Sequence, residues 1–143
     1  MAISQVDNAH QTAADIAKAR KWKRVAQILT DPSSLFWNFA NRANKMYKAG
    51  DFDIACDVYT KAFGILDEVR PVPSVQNRAT LHYNCARAAS HLGRQIMALK
   101  HTEEALELMP GYQSALEHRA KCNLALYNFK EAAEDYKQLL LVA

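Results

Sequence analysis

The stretch AKCNLALYNFKEAAEDYKQLL, from Ala120 to Leu140, sets the fold because it is the third appearance of one pattern. ARAASHLGRQIMALKHTEEAL, from Ala86 to Leu106, precedes it by 34 residues, and ANKMYKAGDFDIACDVYTKAF, from Ala43 to Phe63, precedes that by 43. Small side chains fall at Ala43, Ala86 and Ala120 and again at Ala55, Ala98 and Ala132, while Tyr59, Thr102 and Tyr136 mark a larger position further on. The turn between the two halves carries Gly50, Gly93 and Tyr127. Recurrence at this spacing marks an architecture in which no unit can bury an apolar face alone, so units stack on one another. Small residues let two helices of a unit approach closely, and the larger ones fill the space toward the next unit. Each unit predicts two antiparallel helices.

These residues resemble the tetratricopeptide repeat (TPR), and the resemblance covers about Leu35 to Leu140. The pieces NKMYKAGDFDIACDVYTKAF and ALELMPGYQSALEHRAKCNLALYNFKEAAEDY are similar to repeats of chaperone cofactors: TPR-bearing J-domain proteins, large immunophilins and chaperone-organising proteins. The resemblance implies an all-α, right-handed α-α superhelix of three hairpins and a module that binds peptide segments of a partner protein, a heat-shock chaperone among the candidates. Residues 1–32 form an N-terminal helix and linker, and residues 33–143 hold the repeats, at about 35–69, 75–109 and 113–142. Asp31-Pro32-Ser33-Ser34 offers a break and a cap before the first repeat, and Arg70-Pro71-Val72-Pro73-Ser74 stops its second helix. The first period exceeds the second by nine residues, which predicts a second helix lengthened from Asp53 to Val69, followed by a proline-ordered turn.

A chain of 143 residues is long enough for one full core, and only 4 Gly and 4 Pro argue against disorder. The net charge of +3 is too small and too dispersed to point to nucleic acid. No apolar run approaches the roughly 20 residues a membrane span needs, and polar Gln5, Asp7, Asn8 and His10 do not read as a secretory leader, so a cytoplasmic location is expected. Cys56, Cys85 and Cys122 are widely spaced and odd in number, which predicts free buried thiols.

Ahead of the repeats, Asn8 to Leu29 reads as an amphipathic helix with Ile16, Trp22, Val25, Ala26 and Leu29 tending to one side and Lys18, Arg20, Lys21, Lys23 and Arg24 making it basic. It is expected to cap the apolar end of the first repeat, with a basic docking arm as the alternative.

In a TPR stack the first helix of each hairpin lines a concave groove. By repeat register the groove displays Trp37, Ala40, Asn41, Asn44, Tyr47 and Lys48, then Thr80, Tyr83, Asn84, Arg87 and His91, then Ser114, Glu117, His118 and Lys121. Amides suit a peptide backbone, cations its acids and rings its apolar side chains. Chaperone-binding members of the family hold a terminal carboxylate with two Lys, two Asn and one Arg. Carried onto this sequence, the Asn pair is kept as Asn44 and Asn84, whereas Ala40, Ser114 and His118 stand where the three cations would be. Lys48, Arg87 and Lys121 are either a rearranged anion site or ordinary solvated charges.

His82 with Cys85 and His118 with Cys122 have the residue types of a zinc site, but the register points them apart, so no metal or other cofactor is expected. No glycine-rich phosphate loop, GxSxG, HExxH or HPD tripeptide is present, and no catalytic role is expected. The alternative to a peptide-binding module is a structural or self-assembly module whose groove is filled by its own or a neighbouring chain. Leu139 to Ala143 end the last hairpin without a following polar helix, which predicts either a fragment of a longer protein or a weak homodimer through that face.

The clamp comparison predicts that a chaperone tail bearing a free C-terminal carboxylate binds weakly at neutral pH, or through an altered site. The combined change Ala40→Lys, Ser114→Lys and His118→Arg should raise that affinity at least tenfold in a titration; unchanged affinity would show the register to be wrong.

Overall fold

The structure, a computed structural model, describes residues 12–142. Asn8 to Gln11, where the N-terminal helix is expected to begin, and Ala143 lie outside the described residues. Seven α-helices follow in order among the described residues: α1 Ala13–Thr30, α2 Pro32–Lys48, α3 Phe52–Ile65, α4 Val75–His91, α5 Gln95–Leu108, α6 Gln113–Ala125 and α7 Phe129–Val142, with no strand. α2 with α3, α4 with α5 and α6 with α7 form three hairpins that wind into a right-handed superhelix. No helix among the described residues is long and apolar enough to cross a membrane.

Local chemistry sets the helix limits. The Thr12 hydroxyl accepts from the Asp15 N–H at 3.1 Å while the Asp15 carboxylate accepts from the Thr12 N–H, a reciprocal cap that starts α1. The Asp31 carboxylate accepts from both the N–H and the hydroxyl of Ser34, each at 3.0 Å, and Pro32 takes the first helical position of α2, where its missing N–H costs nothing. Ser74 caps α4 through the Asn77 N–H.

The three hairpin turns are built alike. Asp51 N–H reaches Met46 O, Arg94 N–H reaches Ala89 O and Asn128 N–H reaches Asn123 O, at 2.9, 2.9 and 2.8 Å, closing each first helix in a Schellman-type turn. Such a turn requires one left-handed residue, supplied by Gly50 (φ 84°) and Gly93 (φ 74°) in the first two hairpins. In the third the position is held by Tyr127 at φ 62°, where its Cβ crowds the following carbonyl.

Alanine dominates the interior. Ala43, Ala55, Ala62, Ala86, Ala98, Ala105, Ala120 and Ala132 are buried at the repeat positions, so helix backbones pack closely. Tyr59 and Thr102, at the larger position, are also fully buried, whereas Tyr136 is only half-buried. The first two are covered by the next hairpin; among the described residues no further hairpin stacks on the third. Leu140, Leu141 and Val142 stand exposed on α7. All three cysteines are buried and unpaired, and burial pushes their thiols up.

Two expectations are corrected. The second helix of the first repeat is not lengthened: α3 stops at Ile65, and with 14 residues it matches α5 and α7. The extra residues form a 3₁₀ turn, Leu66–Glu68, and an extended link through Pro71 and Pro73. Val69 drops into the core with no exposed surface, while the Arg70 guanidinium donates to the main-chain oxygens of Asp67 and Val69. Burying Val69 draws the chain inward where a continued helix would carry it past the stack.

Nor does α1 cap the first repeat. Every one of its residues is exposed, Trp22 at 61%, and among the described residues it meets only α2. One residue, Asp31, joins the two helices. Antiparallel helices need about 2–5 linking residues to fold back on each other, so the apolar side of α1 cannot be brought onto α2.

His82 of α4 stacks on Phe63 of α3 with centroids 4.1 Å apart, and its Nδ1 lies 3.0 Å from Nδ1 of His101 on α5. One ring nitrogen must donate and the other accept, so the bond requires at least one neutral ring. Burial, with Arg78 nearby, pushes His82 down to about 4; burial, His82 and Lys100 do the same to His101. Between pH 6.5 and 4 the unfolded chain therefore binds protons that the folded chain refuses. The contribution of the pair is complete above about pH 6.5 and drains away as pH falls toward 4.

The urea midpoint should fall across that window and fall less steeply in His101→Gln; equal slopes would show that the pair is freely solvated. Separately, Tyr127→Gly should stabilise the domain by about 1 kcal/mol by relieving the left-handed strain, raising Tm by about 3 °C. A lower Tm in calorimetry would mean that the Tyr127 ring, 6.1 Å from Phe129, matters more than its backbone.

Candidate functional site

The concave face is built from α2, α4 and α6, the first helices of the three hairpins. Two hollows divide it. The smaller, about 110 Å³, is floored by Phe36, Ala40 and Leu81 and rimmed by Trp37, Asn41, Asn44, Asn77, Thr80 and Asn84. It contains no charged side chain. The larger, about 330 Å³, is lined by Tyr47, Tyr83, Arg87, Ser90, His91, His118 and Lys121.

In the first hollow the retained amides are committed to the stack. The Asn44 side-chain oxygen accepts from the buried Tyr59 hydroxyl and from Asn84 Nδ2, the latter at 3.4 Å. This bond set links α2 to α3 and α4, so the pair has a structural role alongside any ligand role. Burial drives the Tyr59 phenol up, which keeps it a neutral donor at ordinary pH. Asn44 keeps its own amide hydrogens available. Ala40 is buried at 3%, and the absence of a long side chain there leaves the hollow neutral.

The second hollow is aromatic and cationic. The Arg87 guanidinium lies 4.8 Å from the Tyr47 ring centroid and 5.4 Å from that of Tyr83. Both contacts are cation–π interactions that orient the planar group. Lys121 pairs with Glu117 at 3.2 Å, one turn earlier on α6. The His118 and Ser90 side chains bond at 2.9 Å, and the His91 ring stacks on Phe52 with centroids 4.0 Å apart. Burial pushes the His118 imidazole below its ordinary value, a main-chain bond at Ala86 opposes this, and Lys121, Arg87 and His91 add to the depression. With its pKa held below the ordinary value, His118 adds no positive charge to this hollow at pH 7.

Of the residues expected in the groove, Trp37, Asn41, Asn44 and Asn84 meet in one hollow and Tyr47, Tyr83, Arg87, His118 and Lys121 in the other. Lys48 and Ser114 are exposed and line neither, so Lys48 does not join Arg87 and Lys121. Ser90 and Asn77 were not legible as groove residues. Ser90 lies three residues beyond Arg87 on the same helix, and that spacing is the signal that finds it.

The remaining chemistry-bearing clusters lie elsewhere. His82 faces Phe63 and His101, whereas His118 faces Ser90 and Tyr83, so the two His/Cys pairs do not converge. Among the described residues no group of three or more His, Cys, Asp or Glu side chains has metal-site geometry. A hollow of about 390 Å³ is lined by Glu103, Glu131, Glu134 and Arg119, and Arg119 donates two bonds to the buried Asp135 carboxylate at 2.9 and 2.6 Å. That forked pair ties α6 to α7 and is structural.

No family model matches the chain. It is 34% identical over 95 residues to the mitochondrial import receptor subunit TOM70 of Rattus norvegicus, covering 66% of this chain and 15% of that protein. It is 31% identical over 101 residues to the FK506-binding protein-like protein of Mus musculus, covering 71% and 29% respectively. The chain thus spans less than a third of the length of the curated relatives it matches. Among solved structures, the first TPR of Spaghetti (RPAP3), bound to the HSP90 peptide SRMEEVD, superposes with a TM-score of 0.62 at 27% identity, covering 76% of this chain and 79% of that one. The repeat spacing, the three stacked hairpins and these likenesses agree: the chain is a tetratricopeptide-repeat domain, similar to those of co-chaperones.

Proposed function

We propose that the concave face binds an extended peptide segment of a partner protein, chaperone-related in kind, and that the domain works by binding and scaffolding without turnover. The observation that carries this reading is the division of one continuous face into an amide-rimmed hollow and a cationic aromatic one. Backbone groups of an extended peptide need donors and acceptors along the groove, which Asn41, Asn44, Asn77 and Asn84 offer. Its apolar side chains need rings, offered by Trp37, Tyr47 and Tyr83. The HSP90 peptide in the Spaghetti complex supports a chaperone-related ligand.

The test is selection from a library of extended peptides, with SRMEEVD included. Selected peptides should bind with micromolar Kd, and Tyr83→Ala with Asn84→Ala should weaken them at least tenfold, while Lys61→Ala on the exposed side of α3 leaves them unchanged. A library that yields no binder, or binders indifferent to the α4 changes, would sink the reading.

A further inference from the structure

We propose that the Arg87 hollow reads an internal acidic side chain of the bound peptide, in place of the terminal carboxylate. This rests on the peptide-groove reading and specifies what the groove recognises.

The charge inventory points there first. Arg94 pairs with Asp53, Arg119 with Asp135 and Lys121 with Glu117, while Arg70 and Arg78 donate to main-chain oxygens. Arg87 is half-buried in the concave face and, among the described residues, has neither a carboxylate partner nor a hydrogen-bond acceptor. The two tyrosine rings hold its plane but accept none of its N–H bonds along the fork. A guanidinium partly removed from water, with its donors unfilled, is completed by a carboxylate that accepts two of them. The rings on either side are placed to cover the methylenes of a glutamate.

The neighbouring hollow argues against a chain terminus. A terminal carboxylate seated there would lose water and meet only amides, a hydroxyl and an indole, with no cation to offset the loss. Asn84 and Arg87 are three residues apart on α4, so the anion site lies about 4.5 Å along the helix from the amides. An extended peptide advances about 3.3 Å per residue, so a backbone held at Asn84 delivers a side chain to Arg87 one or two residues on. Beyond Arg87 the hollow continues to His91, leaving room for the chain to pass.

The experiment uses three forms of the heptapeptide SRMEEVD: free acid, C-terminal amide and the Gln form SRMQQVD, each titrated into the isotopically labelled domain and followed by backbone and Arg side-chain resonances. Amidation should change Kd by less than threefold, whereas replacing both Glu by Gln should raise it at least tenfold. Arg87→Gln should abolish the distinction between the Glu and Gln forms, and Arg87→Lys, which keeps the charge but not the fork, should restore part of it. Binding lost on amidation but retained by SRMQQVD would overturn the inference and leave the groove reading standing, as would binding that survives both changes. Absence of any shift along α2, α4 and α6 with all three peptides at millimolar concentration would overturn both. Dichroism melts of each Arg87 variant separate lost recognition from lost folding.

Discussion

Everything in this domain depends on how closely two helices of a hairpin can approach. Ala43, Ala55, Ala86, Ala98, Ala120 and Ala132 have almost no exposed surface, and none carries atoms beyond Cβ to hold the backbones apart. Close approach leaves little room inside a hairpin for large side chains. These collect where one hairpin meets the next, as Phe36 and Tyr59 do, and the offset between intra-hairpin and inter-hairpin packing curves the stack. The groove is a consequence of that curvature.

Curvature then decides which polar groups are free to act. Asn44 and Asn84 lie on the inner side of the stack, but the bond Asn84 donates to Asn44, and the one Asn44 accepts from the Tyr59 hydroxyl, turn them partly inward. Arg87 lies one turn further along, where α2 and α4 present Tyr47 and Tyr83 on either side of it. The rings limit hydration of the guanidinium without satisfying its hydrogen bonds, and this sets it apart from the exposed lysines of α1. Among the described residues Arg87 has no carboxylate partner, and an oriented cation in a concavity has much of its ordering already done, which favours the acidic side chain proposed for it.

The ends of the stack obey the same packing rule with a different result. The link between the first two hairpins absorbs nine additional residues because Val69 folds into the core and the repeat geometry resumes at Ser74. α1 has no such route inward: a one-residue joint carries it off the stack, and its Ile16, Val25 and Leu29 remain in solvent. On α7, Tyr136 occupies the position that is fully buried in the earlier hairpins as Tyr59 and Thr102, yet it is only half covered. The same residue type at the same register takes its burial from whatever stacks upon it.

By itself the sequence determined the helical hairpins, their number and the turns between their helices. All of these follow from local sequence signals: alanine recurring at the close-approach positions, glycine or a tolerated tyrosine at the left-handed turn residue, and the Asp31-Pro32-Ser33-Ser34 break and cap ahead of the first hairpin. The resemblance to chaperone-binding repeats implies that Ala40, Ser114 and His118 stand where clamp cations would be. Only the tertiary structure decided how the inserted residues fold, that α1 leaves its apolar side uncovered, that His82 pairs with His101, and that Lys48 stands apart from Arg87 and Lys121. Each of those outcomes depends on the distance and direction between residues of different helices. A repeat pattern specifies which face a side chain occupies; which side chains meet across that face is set by how far each hairpin is rotated on the last, a quantity fixed only when the whole stack packs.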